Sequence, residues 1–417
     1  MLSHLSIVVL ATATPRFDVV WNAPSSSCTG CKPTAPILPA KYGIRTNSNG
    51  AFNGDQIAIM YAPGLFPSLT GAYNATPCWT GQKPCSWNPW GTINASRNGG
   101  VPQAADLVSH VSQLEHDVIS LVPAANFSGL LIVDWEAWRP LAQENDDALS
   151  LYTEYSARLV RQQHPQWTNA TAIHDEAVVQ FDAGARAFFT VTVEALRRLR
   201  PHARIGFYSQ GINSNSQNDR ALAWLWEAVD ILAPSIYPHG QAMLGLAEAT
   251  NATVSEAIRV AERVGWARLA AGDPRPPPAV YPYARALVRG NKALSRAELA
   301  CGIQIAAGLG AEGLVLWGSS SDYSCAPDGC GLVESTLDGV AGPLISKCVA
   351  NRQACSASRC SGNGRCVDYS FGHLEEICLL SAPAAGNGPA ADVTWMASKC
   401  RCDVGWLGDR CNETARQ

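Results

Sequence analysis

Between about Val19 and about Val333 the apolar positions follow two patterns in alternation. Short runs rich in β-branched and aromatic residues appear at QIAIMY (56–61), LLIVDWE (130–136), ARIGFYS (203–209), ILAPSIY (231–237), PAVYPY (278–283) and GLVLWGS (313–319). Their apolar positions are nearly continuous, as expected of strands covered on both faces of a parallel sheet. Longer stretches with helical spacing lie between them. Residues 103–120 place Leu107, Val111, Leu114 and Ile119 along one side, and residues 175–199 do the same with Val178, Phe181, Phe188 and Leu196. Ser295 and Glu298 have the spacing of a capping box at the start of a further helix. Strand–helix alternation predicts an α/β fold with helices packed outside a parallel sheet. About seven such units over roughly 300 residues suit a distorted (β/α) TIM-like barrel better than an open sheet. That unit is expected to span 17–345.

From about Ile345 the pattern changes: helical periodicity stops and cysteines crowd together. A small disulfide-rich module is expected over 346–412. The whole chain holds fifteen cysteines, ten of them between Cys325 and Cys411. Cys28-x-x-Cys31 is the one C-x-x-C pair, and no second pair completes a zinc site, so disulfides in an oxidising compartment are the better reading. Because fifteen is odd, at least one thiol is unpaired or intermolecular. Asn-x-Ser/Thr sequons at Asn74, Asn94, Asn126, Asn169, Asn251 and Asn412 agree with a glycosylating route. Residues 1–13, within MLSHLSIVVLATATP, resemble a signal-peptide remnant with Ala11 and Ala13 before a cut, although no Lys or Arg precedes the apolar run. A secreted or lysosomal protein is expected, with no cofactor and no metal. The terminal RCNETARQ carries no apolar tail of the kind that precedes a lipid anchor.

Composition narrows the partners. With 47% hydrophobic and 16% charged residues the chain builds a core. Its net charge of −4 gives no basic face for nucleic acid. No apolar run reaches the roughly 20 residues of a membrane-spanning helix. A monomer is expected.

The chemistry concentrates in LLIVDWEAWRP. On a strand, Asp134 and Glu136 point to one side and Trp135 to the other. Two carboxyls then share a patch at the C-terminal end of a barrel strand, where barrel enzymes hold their reacting groups. Such a pair repels when both are ionised, so one retains a proton, as glycosidic cleavage requires. The plain alternative is a solvated acid pair at a strand end. Tyr61, Tyr237 and Trp317, taken singly, read equally as core aromatics, and Arg139 as a structural partner of the acids.

Two resemblances follow from these residues. The ladder Cys355-x4-Cys360-x5-Cys366, then Cys400-x-Cys402-x8-Cys411, resembles an EGF-like module with a 33-residue insert between its third and fourth cysteines. That resemblance implies the pairs Cys355–Cys366, Cys360–Cys400 and Cys402–Cys411, with Trp406 over a small disulfide core. The second resemblance covers nearly the whole chain. VWNAP (20–24), NGGVPQ (98–103), FSGLLIVDWEAWRP (127–140), QND-x4-WLW (217–226), PSIYP (234–238) and LGAEGLVLWGSSSD (309–322) resemble, in order, the motifs of the hyaluronidase family of glycoside hydrolases.

The family resemblance implies a substrate-assisted, retaining endo-β-N-acetylhexosaminidase. Glu136 is implied as proton donor and then base, with the substrate's own acetamido oxygen as nucleophile. Asp134, charged, would orient that group. Tyr237 would hydrogen-bond it, Trp317 would wall it, Ser319 and Ser320 would line the cleft, and Tyr61 would touch the sugar. Arg139 would pair with nearby acids or a substrate carboxylate. The resemblance also implies a Cys28–Cys330 bond, while Cys78 and Cys85 could close a local loop. Cys31, Cys301, Cys325, Cys348 and Cys378 stay unassigned. Arg139, Arg204, Arg220 and Arg285 are the candidates for a local basic groove.

One stretch departs from the family pattern. Where relatives carry F-P-D-C-Y-N and a disulfide-closed loop, this chain reads SQGINSNSQND (209–219). Ile212 falls near a substrate-contacting Tyr, and Asn213 is the neighbouring candidate contact. The groove is expected to be shorter there, with weaker affinity for long polymers. Hyaluronan and chondroitin are both candidate substrates, and a glycosaminoglycan-binding or adhesion protein with little or no turnover is the alternative from another class.

Overall fold

The computed structural model describes residues 16–28, 30–31, 37–86, 90–212, 219–286, 288–289, 292–325, 328–368 and 399–415. Among the described residues, seven principal parallel strand segments surround a central core, and a two-residue strand, Arg45–Thr46, pairs parallel with Asp18–Asn22. In order around the wall the seven are Asp18–Asn22, Ile57–Tyr61, Leu130–Asp134, Arg204–Tyr208, Ile231–Ala233, the bent segment 279–285 and Gly313–Trp317. The predicted ILAPSIY strand is shorter than its apolar run because Pro234 supplies no backbone donor. Segment 279–285 bends around Pro282. Ala279–Val280 pairs with Ile231–Leu232, and Tyr283–Arg285 pairs with Val315–Trp317. This bend carries the sheet from one neighbour to the next.

The wall is not stitched all the way round by backbone. No ladder joins Asp18–Asn22 to Ile57–Tyr61 among the described residues. There the two-residue strand Arg45–Thr46 pairs parallel with Val20–Trp21, and buried Asn47, next in sequence, bonds to the backbone leading into Ile57–Tyr61. Its Nδ2 donates to the carbonyls of Ala51 (3.1 Å), Phe52 (3.0 Å) and Ile57 (2.9 Å), and its Oδ1 accepts from the amides of Gln56 (2.8 Å) and Ile57 (3.0 Å). One amide thereby satisfies backbone groups that a continuous ladder would otherwise pair.

Strand alternation divides the core into two layers. Val20, Ile57, Ile59, Leu130, Ile132, Ile231, Tyr283 and Val315 fill the barrel interior. Leu131, Val133 and Trp135 face outward into the layer beneath the helices. The longest helices are Ala170–Leu199 and Met243–Ala270. The first begins with the Asn169 side chain accepting from the amides of Thr171 and Ala172. The Arg296–Leu309 helix opens with both halves of the Ser295/Glu298 capping box and ends at Gly310 in the left-handed region. No helix of the described residues is long and apolar enough to cross a membrane.

The expected break in helical structure at Ile345 is displaced. Helix Gly342–Arg359 runs straight through it and carries Cys348 and Cys355. Its buried stripe is Ile345, Cys348, Arg352 and Ser356, whose polar members hide the helical period from a hydropathy reading. Arg352 donates to the Cys366 carbonyl (2.7 Å) and pairs with Asp368 (2.7 Å), and Ser356 Oγ donates to the Gly364 carbonyl (2.6 Å). Beyond it, Gly364–Val367 pairs antiparallel with Lys399–Cys402, and Trp406 packs on Cys360, Cys366 and Cys411. Disulfides join Cys355 to Cys366, Cys360 to Cys400 and Cys402 to Cys411. Arg401 ties this segment to the barrel through the Leu309 carbonyl (2.8 Å), and Arg365 through Glu312 (2.9 Å).

The remaining cysteines also have places. Cys28–Cys330 and Cys31–Cys325 lie side by side, and Cys78–Cys85 closes a local loop. Cys301 is disulfide-bonded, and buried Cys348 is free. Cys378 lies outside the described residues, as do residues 1–15. Among the sequon asparagines, Asn74, Asn94, Asn126, Asn169 and Asn412 are exposed, and Asn251 is half-buried within the Met243–Ala270 helix.

Candidate active site

The strand ends converge at the C-terminal mouth of the barrel. Tyr61 and Asp134 are register partners on adjacent strands, and the amide of Ala62 donates to the Asp134 carbonyl (2.9 Å). Ala62 turns the chain sharply with φ of 44°. The loop that follows is fixed by a buried imidazole: Leu65 N–H donates to His110 Nδ1 (3.0 Å), so His110 Nε2–H donates to Thr192 Oγ1 (2.9 Å). Thr192 in turn donates to the Phe188 carbonyl (2.8 Å). Burial lowers His110 to about 4 and keeps this tautomer neutral.

Asp134 continues the interior-facing series Leu130 and Ile132 and is only 8% exposed. Its Oδ1 is buried without a hydrogen-bond partner. Trp135 takes the opposite side, stacked on Phe66 at 4.7 Å and edge-on to Phe189 at 5.2 Å. The strand stops at Asp134, and Glu136 stands exposed just beyond it. The two acids therefore differ in solvation. Burial first, then the charge of Glu136, push Asp134 up to about 7, opposed by Arg139. In the free site, burial thus favours the protonated form of Asp134.

An aromatic wall faces these acids. Trp317 ends its strand, donates from Nε1 to Tyr61 Oη (2.8 Å) and stacks on Tyr237 with ring centroids 5.9 Å apart. Tyr61 is 51% exposed, while Tyr237 and Trp317 are half-buried. Ser319 is half-buried, its amide and Oγ both donating to Asp322 Oδ2 at 3.0 Å; Ser320 is exposed. Arg139 lies close enough to stabilise ionised Asp134, and its backbone is pinned by Asn145 through N–H to Oδ1 (2.7 Å). Asn213 lies outside the described residues; the neighbouring Ile212 packs against the core, and Gln210 donates to the Trp135 carbonyl.

Two of the proposed groove arginines are elsewhere engaged. Arg204 begins its strand, at the opposite end of the barrel, with its guanidinium 5.2 Å from the Tyr281 ring. Arg285 is nearly buried and paired with Asp322. Arg220 is exposed near the start of the Asp219–Ala228 helix. No group of three or more His, Cys, Asp or Glu side chains suited to a metal occurs among the described residues.

Residues 88–382 match the family model described as hyaluronidase, glycoside hydrolase family 56. The chain belongs to the hyaluronidase family. It is 32% identical to hyaluronidase-1 of Sus scrofa, over 95% of this chain and 92% of the relative. It is 30% identical to the hyaluronidase of Apis mellifera, over 81% and 86% of the two chains. The crystal structure of bee venom hyaluronidase in complex with a hyaluronic acid tetramer superimposes with a TM-score of 0.67 at 29% identity, covering 79% of this chain and 99% of that one.

Within this hyaluronidase the cleft also contains residues that sequence reasoning passed over. Tyr208 ends its strand beside Tyr237 (6.2 Å) and Tyr283 (5.2 Å), and its hydroxyl shares hydrogen bonds with Ser235 and Tyr237. The signal was available, since GFY ends its apolar run in Tyr as QIAIMY and PSIY do. Tyr283 lies fully buried below the mouth, with no partner for its hydroxyl. The Arg285–Asp322 pair had no local signal, because its members are far apart in sequence.

Proposed function

We propose that this hyaluronidase is an endo-β-N-acetylhexosaminidase that hydrolyses the β-1,4 linkages of hyaluronan with retention of configuration. The observation that carries this reading is the unequal acid pair: a buried Asp134, whose carboxyl is pushed up by burial and by Glu136, beside an exposed Glu136 at a strand end facing an aromatic wall. The acetamido oxygen of the bound sugar attacks C1 as the glycosidic oxygen leaves with a proton from Glu136. The acetamido N–H hydrogen-bonds to Asp134. That bond and the positive charge developing on the cyclising group both favour ionised Asp134, which leaves the proton of the pair for Glu136. Water activated by Glu136 then opens the cyclic intermediate on the same face, restoring the acetamido group and the proton on Glu136.

Tyr237 and Trp317 hold the acetamido group in attacking position, and Tyr61 contacts the sugar ring. Tyr61 accepts from Trp317 Nε1, so its own proton is free to be donated to a sugar oxygen. The substrate is a polyanion, and Arg139 is the cation at the mouth that serves it. The disulfides and sequons support folding in an oxidising, glycosylating route, and we place the protein outside the cell or in lysosomes.

The test is incubation with hyaluronan and with unsulfated chondroitin, followed by assay of new reducing ends and of product saturation. Saturated oligosaccharides from hyaluronan are expected, and the chondroitin arm reports substrate range. Binding without release of reducing ends from either polymer would establish the non-catalytic alternative.

A further inference from the structure

Behind the aromatic wall lies an ion pair that the reaction does not use directly. Arg285 is the register partner of Trp317 on the neighbouring strand. Its guanidinium carbon lies 4.8 Å from the Trp317 ring centroid and 5.8 Å from that of Tyr237. Its Nη2 is 2.5 Å from Asp322 Oδ2. The two side chains are 11% and 1% exposed. The same carboxylate oxygen accepts from the Ser319 amide and from Ser319 Oγ, both at 3.0 Å. One buried carboxylate therefore joins the end of one strand to the turn that follows Trp317 on the next.

Stability does not account for such a pair. Two desolvated charges recover their hydration only through well-made contacts, and packed apolar residues of similar volume commonly serve a fold as well or better. What the pair supplies is geometry. A planar guanidinium attracts the faces of both rings and is held in orientation by the carboxylate. Trp317 is thereby fixed on three sides: Tyr61 at its Nε1, Tyr237 against its ring and Arg285 behind it.

We propose that Arg285 and Asp322 are positioning residues that set the angle of the Trp317–Tyr237 wall. The proposal rests on the reading of that wall as the acetamido pocket. Misplacement of an attacking group by about 1 Å lowers turnover by around two orders of magnitude, so the effect belongs in kcat rather than in ground-state binding.

The experiment compares wild type with Arg285→Met, Arg285→Lys and the double variant Arg285→Met with Asp322→Asn. Each is assayed for reducing ends from hyaluronan, for denaturant midpoint, and for the indole N–H resonance of Trp317 assigned by a Trp317→Phe variant. For Arg285→Met we expect a lowered midpoint, because buried Asp322 loses its partner, with the midpoint recovered in the double variant; we also expect a displaced Trp317 resonance and a kcat lowered roughly 10- to 100-fold with KM within about threefold. The double variant should be no slower than Arg285→Met, and Arg285→Lys should recover part of the loss. A kcat within about twofold of wild type in Arg285→Met overturns the proposal. If that variant does not fold, the same comparison is made with Arg285→Lys, for which wild-type kcat and an unmoved Trp317 resonance overturn it. An inactive wild type would defeat the functional reading alone. The Trp317 resonance would then decide the positioning claim, supporting it if displaced and refuting it if unmoved.

Discussion

Replacing Asp134 by Asn should destroy activity and, above neutral pH, strengthen the fold. The carboxyl is 8% exposed, has an unpartnered Oδ1, and is pushed from the ordinary 3.8 to about 7 by burial and then by Glu136. A raised carboxyl value means that the folded protein holds this proton more tightly than the unfolded chain. The stabilisation is complete below pH 3.8 and is lost as pH rises through about 7. Each tenfold difference in proton affinity is worth about 1.4 kcal/mol, so the full swing is roughly 4 kcal/mol. Asparagine has nothing to ionise and escapes this loss. Denaturant unfolding of both proteins, with disulfides intact, should be followed from pH 3.5 to pH 8.5 or so. The stability of Asp134→Asn relative to wild type should climb across that range by a few kcal/mol. Any constant effect of the amide itself cancels in this comparison. A difference that stays flat with pH would refute the claim that a buried, proton-hungry carboxyl sits at the strand end.

Other expectations follow from the same geometry. Glu136→Gln should bind hyaluronan oligosaccharides with near-native affinity while kcat drops roughly 10²- to 10⁴-fold in the reducing-end assay; cleavage at the wild-type rate would remove Glu136 from the mechanism. His110 works in the opposite pH direction from Asp134. Burial lowers it to about 4, so stability falls as pH drops from 6.5 toward that value, by roughly 3 kcal/mol; His110→Gln should flatten this acid limb of the stability–pH curve. Asn47→Ala strips hydrogen bonds from several backbone groups at the barrel seam and should cost roughly 3 kcal/mol or more in denaturant unfolding. The Cys348 thiol, fully buried and pushed up to about 11, should resist thiol reagents at pH 8 or so until the protein is unfolded, as peptide mapping of the labelled site will show.

The strands were legible because burial on both faces writes continuous apolar runs, and the ends of those runs located Tyr61, Asp134, Tyr237 and Trp317. Helices with a strong apolar stripe were legible for the same reason. The Met243–Ala270 helix was not. Its buried side mixes apolar residues with the small Ala247, Thr250, Ala257, Ala261 and Gly265 and the charged Arg268, which weakens the contrast with the exposed side. Gly342–Arg359 was hidden by a buried stripe containing Arg352 and Ser356. Spacing alone treats Asp134 and Glu136 alike. Only the folded structure shows that Asp134 is buried while Glu136 is exposed. Arg204 was misassigned to the groove although its place at the start of ARIGFY already put it at the far end of a parallel strand. Arg285 and Asp322 meet only because parallel strands bring two distant segments into register.

The twin bridges Cys28–Cys330 and Cys31–Cys325 span 302 and 294 residues of sequence. By chain-entropy reasoning, closing such a ring is worth about 5 to 6 kcal/mol. The ring is closed by whichever bridge forms first, and the other then encloses only a few residues more. Loss of one cystine should therefore be tolerated, while loss of both would reopen the whole circle. A protease nick anywhere inside that circle would leave the two pieces covalently joined around the same mouth. An enzyme built this way can be scarred at its surface without coming apart.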